Sequence, residues 1–550
     1  MFCVIRGAFF TKGIGSTFAS LGRGGKCSPT NVPEVKKMLA VVESATLFGI
    51  DALPIKVEIN VATGMPVFTI VGLPDAAVQE SRERVRAAIR NSSLRFPSDR
   101  ATVVNLAPAD VRKAGPAFDL PIAMAVLAAT EQVPISGLPG SLLIGELGLD
   151  GSVRAVPGTL SVAMAVRKRD DLTLIVPWDN YAEAALVDGI KVVPVRTLLD
   201  AVRVIRGDAY EIPPRPDPAE LLSRALLLHV DYADVKGNLA AKRALEIAAA
   251  GGHNLLMVGP PGSGKTMLAR RMPGILPPMS VEEALDVTRI HSISSITSGG
   301  TRLMVHRPFR SPHHTVSHAG LTGGGSIPRP GEVSLAHRGV LFLDELPEFH
   351  RDVLEVMRQP LEDGQVTIAR AAATLTYPAR CSLIAAMNPC PCGYYGDRLR
   401  PCTCTRSTVE AYLRRLSGPL LDRIDIHMEV PRIPHTDLMK SAPGESSSEI
   451  RQRVVAARNR QHARCIALGW DPRANSLLMP KEMGSVCPLT PAVKELLGNA
   501  VQRLNLSARA HDRILKVART IADLASEDAI SESHIAEAIQ YRSMDRRLFG

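Results

Sequence analysis

Gly259-Pro260-Pro261-Gly262-Ser263-Gly264-Lys265-Thr266 has the residue types and spacing of a phosphate-binding loop. Its glycines let backbone N–H groups turn inward on the β- and γ-phosphates of a nucleotide at a helix N-terminus. Lys265 brings a point charge to the same phosphates, and the Thr266 hydroxyl is a ligand for Mg²⁺. Further along, the apolar run Gly339-Val-Leu-Phe-Leu ends in Asp344 and Glu345. Asp344 is placed to orient Mg²⁺ through its water shell, and Glu345 to polarise the water that attacks the γ-phosphate. Alone, this segment reads more simply as a core strand with an acidic turn. Downstream of a phosphate loop it reads as the hydrolytic half of one site. A second apolar run, Cys381–Met387, ends at Asn388, whose amide could help orient the lytic water, although Asn-Pro is also an ordinary turn. Arg423 stands at a helix–strand junction in Leu420-Leu-Asp-Arg423-Ile-Asp, and Arg509 and Arg513 share one face of a helix.

The cysteines offer a second chemistry. Cys390, Cys392, Cys402 and Cys404 form two Cys-x-Cys pairs in a segment rich in Gly and Pro, and four thiolates can close a tetrahedral Zn²⁺ shell. The spacing within each pair is shorter than in common zinc ribbons. Free or redox-labile thiols, or an iron–sulfur cluster, therefore stay open as alternatives. A catalytic zinc is disfavoured because all four positions would be filled. The remaining cysteines are scattered, which is not the pattern of a secreted disulfide framework and fits a reducing cytoplasm.

Elements must hold these residues in place. Asn254-Leu-Leu-Met-Val258 has the character of a buried strand and Met267-Leu-Ala-Arg-Arg271 that of a helix, the context a phosphate loop needs. The expected fold class is α/β. Residues 38–205 alternate strands (56–61, 67–71, 101–106, 142–147) with helices (75–91, 119–130) and read as an α/β domain of their own. The proline-rich stretch 212–218 marks a linker over 206–225. A nucleotide-binding domain over 226–440, with the cysteine insert at 390–404, precedes a helical domain over 441–550 that opens on a capping box at Ser446 and Glu449. Residues 1–37 carry six lysines or arginines against Glu34 alone. A transit peptide, a disordered extension, or an upstream start ahead of a true Met38 would each look so. At 550 residues and 45% hydrophobic composition the chain is a multidomain globular protein, and no apolar run is long enough to span a membrane. The net charge of +10 makes a polyanion partner plausible, though a diffuse basic surface explains it equally.

Taken together these motifs resemble the AAA+ ATPases. Asp344 and Glu345 match their Walker B acids, Asn388 their sensor 1, Arg423 their arginine finger and Arg509 the sensor 2 arginine of their helical lid. The resemblance implies ATP as the nucleotide and a homohexameric ring whose neighbours complete one another's sites. Two insertions, His306–Arg338 and the hairpin-like Glu362–Arg380, resemble those of magnesium-chelatase ATPase subunits and MCM helicases. The blocks Leu47-Phe-Gly-Ile-Asp-Ala, Val71-Gly-Leu-Pro-Asp75 and Lys113-Ala-Gly-Pro-Ala-Phe-Asp-Leu-Pro-Ile122 resemble the ComM (YifB-type) magnesium chelatase-like family across 38–545. That family implies a hexameric DNA helicase that promotes branch migration of single-stranded and branched DNA in natural transformation, with other recombination or DNA-uptake proteins as partners. A remodeller of a protein partner, or an assistant of metal insertion, is the alternative.

The N-terminal domain resembles the Lon protease (ribosomal S5 domain 2-like) fold. Ala117, in Gly115-Pro116-Ala117, and Leu160 occupy the positions of Lon's serine and lysine, so no protease activity is expected. Arg307, Arg310, His313, His314, His318, Arg370 and Arg380 are candidates for gripping DNA phosphates. A buried structural role for the histidines, or an interface role for Arg370 and Arg380, stays open beside that reading.

Overall fold

The computed structural model describes residues 38–224, 230–294, 303–325, 328–370, 373–397, 399–433, 444–504, 507–542 and 544. The extension 1–37 lies outside them. Strands β1 (Met38–Phe48) and β2 (Asp51–Ala62) pair antiparallel along their whole length, from Met38 opposite Val61 to Phe48 opposite Asp51. Ile55, Val57, Ile59 and Val61 of β2 turn inward while Lys56 and Asn60 face out, the period-2 pattern of a half-buried strand. With β3 (Phe68–Val71), β4 (Ala101–Ala107), β5 (Ser141–Leu143), β8 (Thr173–Pro177) and β9 (Lys191–Val195) they form a mixed sheet in the order β3-β4-β2-β1-β5-β8-β9. A separate ribbon joins β6 (Glu146–Leu147) to β7 (Val153–Arg154).

Helix Ala76–Asn91 starts where Asp75 accepts a hydrogen bond from the Val78 N–H, and it buries Val78, Val85, Ala88 and Ile89. Helix Asp119–Ala129 is apolar all round after Asp119, whose carboxylate pairs with Arg84 at 2.6 Å, and it is wholly buried, as a helix without a polar face must be. The strand expected over 142–147 is broken at Gly145. There the chain leaves the sheet to exchange backbone hydrogen bonds with Ala117 and Leu120. The proline-rich run lacks helix through Asp217, but its last proline opens a short one, Pro218–Arg224, because Pro is tolerated at a first helical position.

The second sheet contains β10 (Leu255–Val258), β11 (Phe309–Arg310), β14 (Val340–Leu343), β17 (Ser382–Met387) and β18 (Ile426–Glu429). It is parallel throughout, in the order β11-β14-β17-β10-β18. Both faces are covered: Leu255, Met257, Phe342, Ile384 and Ala386 enter one apolar core, and Leu256, Val258, Leu341, Leu343 and Ala385 the other. The small pair β12 (Gly323–Gly324) and β13 (Arg329–Pro330), and the hairpin β15 (Gln365–Arg370) with β16 (Ala373–Pro378), stand outside this sheet. Helices Ser447–Ala467, Pro491–Leu504, Ala508–Leu524 and Glu532–Gln540 close over the first core, and the Ser446–Glu449 capping box starts the first of them.

Helix Val281–Ser294 joins the two halves. Its Ala284, Leu285 and Val287 share an apolar cluster with Leu160, Val162 and Tyr181 of the N-terminal half. The Ser292 hydroxyl donates to buried Glu183 at 2.5 Å and accepts from the Gly158 N–H at 3.2 Å, while Arg289 reaches Asp51 at 2.6 Å. No helix among the described residues is long and apolar enough to cross a membrane.

Candidate nucleotide-binding site

The phosphate loop leaves the C-terminal end of β10, which lies between β17 and β18 in the sheet. Strand order reverses there, and the crevice beyond the carboxyl ends of the strands is where open α/β sheets bind ligands. Gly259 is pressed against the segment that follows β18, since a Cβ would fall 2.2 Å from the Val430 carbonyl. Gly264 takes φ +91° in the left-handed region and opens helix Lys265–Ile275. Pro260, Pro261, Gly262 and Ser263 form the turn between them, with the Ser263 N–H donating to Pro260 O at 3.3 Å. The Asn238 amide donates to Ser263 O at 3.2 Å from outside the loop.

Lys265 Nζ donates to Gly259 O at 2.6 Å, to Pro260 O at 3.0 Å and to Asn388 Oδ1 at 3.3 Å. Burial pushes its pKa down to about 8, against the pull of the Asp344 and Glu345 carboxylates. The Thr266 hydroxyl donates to Asp344 Oδ2 at 2.7 Å, which brings together the two Mg²⁺ ligands expected from the sequence. Glu345 follows with φ +52°, a conformation rare outside glycine, and its N–H donates to Asp344 Oδ1 at 2.9 Å. This turn leaves the Glu345 carboxylate exposed beside His314, whose Nδ1 is 3.6 Å away. Lys265, Thr266, Asp344, Glu345 and Asn388 thus converge at one end of the sheet. An alkali-sensitive cation, a hydroxyl–carboxylate pair for a divalent ion and a free carboxylate suit binding and hydrolysis of a nucleoside triphosphate.

Arg423 and Arg509 lie elsewhere. Strand β18 runs parallel to β10 with Ile426 opposite Leu255, so Arg423 precedes the N-terminal end of the strands while the phosphate loop follows the C-terminal end. A four-residue strand, about 13 Å long, separates the two levels. Arg423 is buried, donating to Pro419 O at 2.6 Å and pairing with Glu362 at 2.5 Å. The Glu362 carboxyl is held below the usual range by Arg423 first and by Arg509 as well, which places the exposed Arg509 on the same face. Arg513, one turn on, instead pairs with Asp425 at 2.9 Å, and the other oxygen of Asp425 meets buried His253 at 3.1 Å.

The four clustered cysteines converge: their ligand atoms all lie within 4.8 Å of one another, with Cys390–Cys392 at 3.3 Å, Cys392–Cys402 at 3.5 Å and Cys390–Cys402 at 3.7 Å. The Tyr395 N–H donates to Cys390 Sγ at 3.3 Å and the Cys404 N–H to Cys402 Sγ at 3.4 Å.

Two of the side chains expected to meet DNA are engaged within the chain. Arg307 is half-buried, donating to Pro277 O at 2.6 Å, Arg338 O at 2.7 Å and Glu283 at 2.8 Å, and Arg310 makes a bidentate pair with Glu332 at 2.6 and 2.7 Å. Internal acceptors thus hold both guanidinium groups, Arg307 more completely than the partly exposed Arg310. His313, His318 and Arg380 are exposed; the Arg370 side chain lies outside what is described.

Three family profiles match along the chain: magnesium chelatase subunit ChlI over residues 231–438, subunit ChlI of Mg-chelatase over 57–180, and the ChlI C-terminal region over 444–542. YifB of Escherichia coli (strain K12) is 46% identical over 513 residues, covering 93% of this chain and 98% of the relative. The chain belongs to the YifB/ComM branch of the magnesium chelatase family of AAA+ ATPases. A second relative, competence protein ComM of Haemophilus influenzae, is 43% identical over 523 residues, covering 93% of this chain and 98% of the relative. The DNA replication licensing factor MCM3 homolog 1 of Zea mays is 28% identical over 247 residues, covering 42% of this chain and 27% of that protein.

Sequence reasoning missed Asn238, Arg432 and the closeness of His314 to Glu345. Asn238 was open to detection, because Gly237-Asn238 is a turn signal and both residues take positive φ. The others are contacts between distant segments, which no local pattern announces.

Proposed function

We propose that this YifB/ComM family member is an ATP- and Mg²⁺-dependent motor, assembled as a homohexameric ring, that migrates branches of single-stranded and branched DNA during recombination and natural transformation. The observation that carries the reading is the separation of Arg423 from its own phosphate loop. An arginine at the opposite end of the strands cannot reach its own γ-phosphate, so it is of use only to a neighbour's. Glu362 holds it until the neighbour arrives. The hairpin β15–β16 supports the choice of DNA: it stands clear of the sheet, burying Val366, Ile368, Leu375 and Tyr377 and exposing Thr367, Ala369, Thr374 and Thr376. Such a hairpin with a polar outer face suits backbone tracking of a strand. The likeness to ComM and to an MCM protein points the same way.

Within this reading Lys265 holds the phosphates, Thr266 and Asp344 hold Mg²⁺, Glu345 and Asn388 direct the water, and Arg423 and Arg509 act across a subunit boundary. The N-terminal half is read as a Lon-like domain without protease activity, since Ala117 and Leu160 fall in one apolar cluster and supply neither nucleophile nor base. The cysteine quartet is read as a structural Zn²⁺ site. A tetrahedron with Zn–S bonds of about 2.3 Å has edges of about 3.8 Å, close to the spacing of these sulfurs. The deciding experiment measures ATPase rate and fork unwinding with purified protein. Stimulation by single-stranded and forked DNA is expected. A rate indifferent to both would overturn the DNA motor in favour of a remodeller of a protein partner.

A further inference from the structure

The cysteine knuckle does not stand apart from the nucleotide site. It begins two residues after Asn388, the side chain that meets Lys265. Gly393, inside the knuckle at φ +85°, lies flat against the phosphate loop: a Cβ there would fall 2.6 Å from Pro261 Cδ and 3.2 Å from its Cγ. Arg432 makes a second link. Its Nε donates to Pro261 O at 3.3 Å, its guanidinium lies over the Tyr394 ring at 5.5 Å, and its Nη2 comes within 3.9 Å of where a Cβ on Gly262 would sit. Tyr394 is in turn clamped from the knuckle side by Arg400, 4.3 Å from the ring to the guanidinium carbon, with Arg400 Nη1 donating to the Tyr394 hydroxyl at 2.9 Å.

A phosphate loop binds by presenting backbone N–H groups in a fixed concave array, and small displacements of that array weaken every hydrogen bond at once. The segment 260–262 has no strand or helix of its own to fix it. Its outer side is instead walled by Gly393, Tyr394 and Arg432. The wall is only as rigid as the knuckle, a Gly- and Pro-rich loop held together by the four convergent thiols and the Arg400–Tyr394 contact.

We propose that the metal-loaded knuckle is the outer wall of the nucleotide site: Zn²⁺ bound by Cys390, Cys392, Cys402 and Cys404 seats Gly393 and Tyr394 against Pro261, and Arg432 locks the contact, so ATP affinity depends on the metal. This rests on the zinc reading above and adds to it a coupling that a merely local structural zinc would not have. Neither Gly393 nor Arg432 is a metal ligand, which lets the two ideas be separated.

The test uses the full chain. Zinc is measured by elemental analysis, its release by a chromophoric chelator, and nucleotide affinity by titration with a fluorescent ATP analogue and Mg²⁺. Wild-type protein is expected to hold one zinc per chain. Its removal weakens ATP-analogue binding about tenfold, and re-addition of zinc restores it. Gly393→Ala, which pushes on Pro261, and Arg432→Ala, which unlocks the contact, are expected to keep the zinc yet lose about tenfold in affinity. If zinc is present but its removal, with the fold retained by circular dichroism, leaves affinity unchanged, the wall is overturned and the zinc site stands. Zinc-loaded variants that both bind like wild type overturn the wall equally. Wild-type protein purified without zinc under reducing conditions overturns the zinc reading, and the wall with it.

Discussion

Lys265 is the residue on which the nucleotide site is most finely balanced. Burial lowers its pKa to about 8, so it is an ammonium below that pH, and above it the folded protein loses the proton before the unfolded chain does. Between about pH 8 and 10.5 folding is therefore relieved of a buried charge, and stability from this group rises with pH. ATP binding has the opposite trend, because the phosphates need the ammonium. Affinity should fall by up to about tenfold per pH unit above pH 8, with proton uptake on binding visible by calorimetry in buffers of differing ionisation enthalpy. A flat affinity from pH 7.5 to 9.5 would remove Lys265 from its assigned role. Glu345→Gln should leave ATP binding intact and slow turnover by at least about 100-fold, read from steady-state phosphate release. Both residues were legible in the sequence, because a strand of apolar residues followed by a lysine or an acid in a known order is a local signal. His314 beside Glu345 was not, since the two lie on different segments and meet only in the folded chain.

Three strands of the second sheet, β10, β14 and β17, were legible at nearly their true ends, because each is a short run of apolar residues stopped by Gly259, Asp344 or Asn388, whereas β11 and β18 carry no such run and stop. The joint between sheet and C-terminal helices was hidden. Asp425, at the entrance to β18, sits between His253 and Arg513, and His253 Nε2 meets Thr520 Oγ1 at 2.8 Å. Burial alone would raise the Asp425 carboxyl, but His253 and Arg513 hold it down to about 2. An acid with a depressed pKa stabilises the fold above its unfolded value near 4, and the contribution is lost as pH falls toward 2. Asp425→Asn should destabilise by about 3 kcal/mol at pH 7, leaving an unpaired Arg513 inside. Thermal unfolding should show the deficit shrinking as the pH approaches 2. A constant deficit across that range would mean that packing, not charge, is what Asp425 supplies.

At the scale of the whole molecule, Arg423 and the phosphate loop sit at opposite ends of the same strands, which under the proposed ring leaves an isolated subunit incomplete. Arg423→Ala should bind ATP normally and turn it over about 1,000-fold more slowly. Mixed with Lys265→Ala subunits, it should regain part of the lost rate, since a wild-type arginine then faces a wild-type loop at some boundaries. Mixtures no better than either variant would place the arginine's role within one subunit. The proline-rich stretch read as a linker between two domains, and helix Val281–Ser294 adds a second joint, pinned to the N-terminal half by Leu285, Val287, Ser292 and Arg289. That helix comes next in the chain after Lys265–Ile275, which carries Lys265 and Thr266 at its tip. Connectivity and packing thus link the phosphate-loop helix to a seven-stranded sheet through a single intervening helix. If ATP turnover rotates the Lys265–Ile275 helix, the N-terminal sheet is positioned to serve as its lever arm.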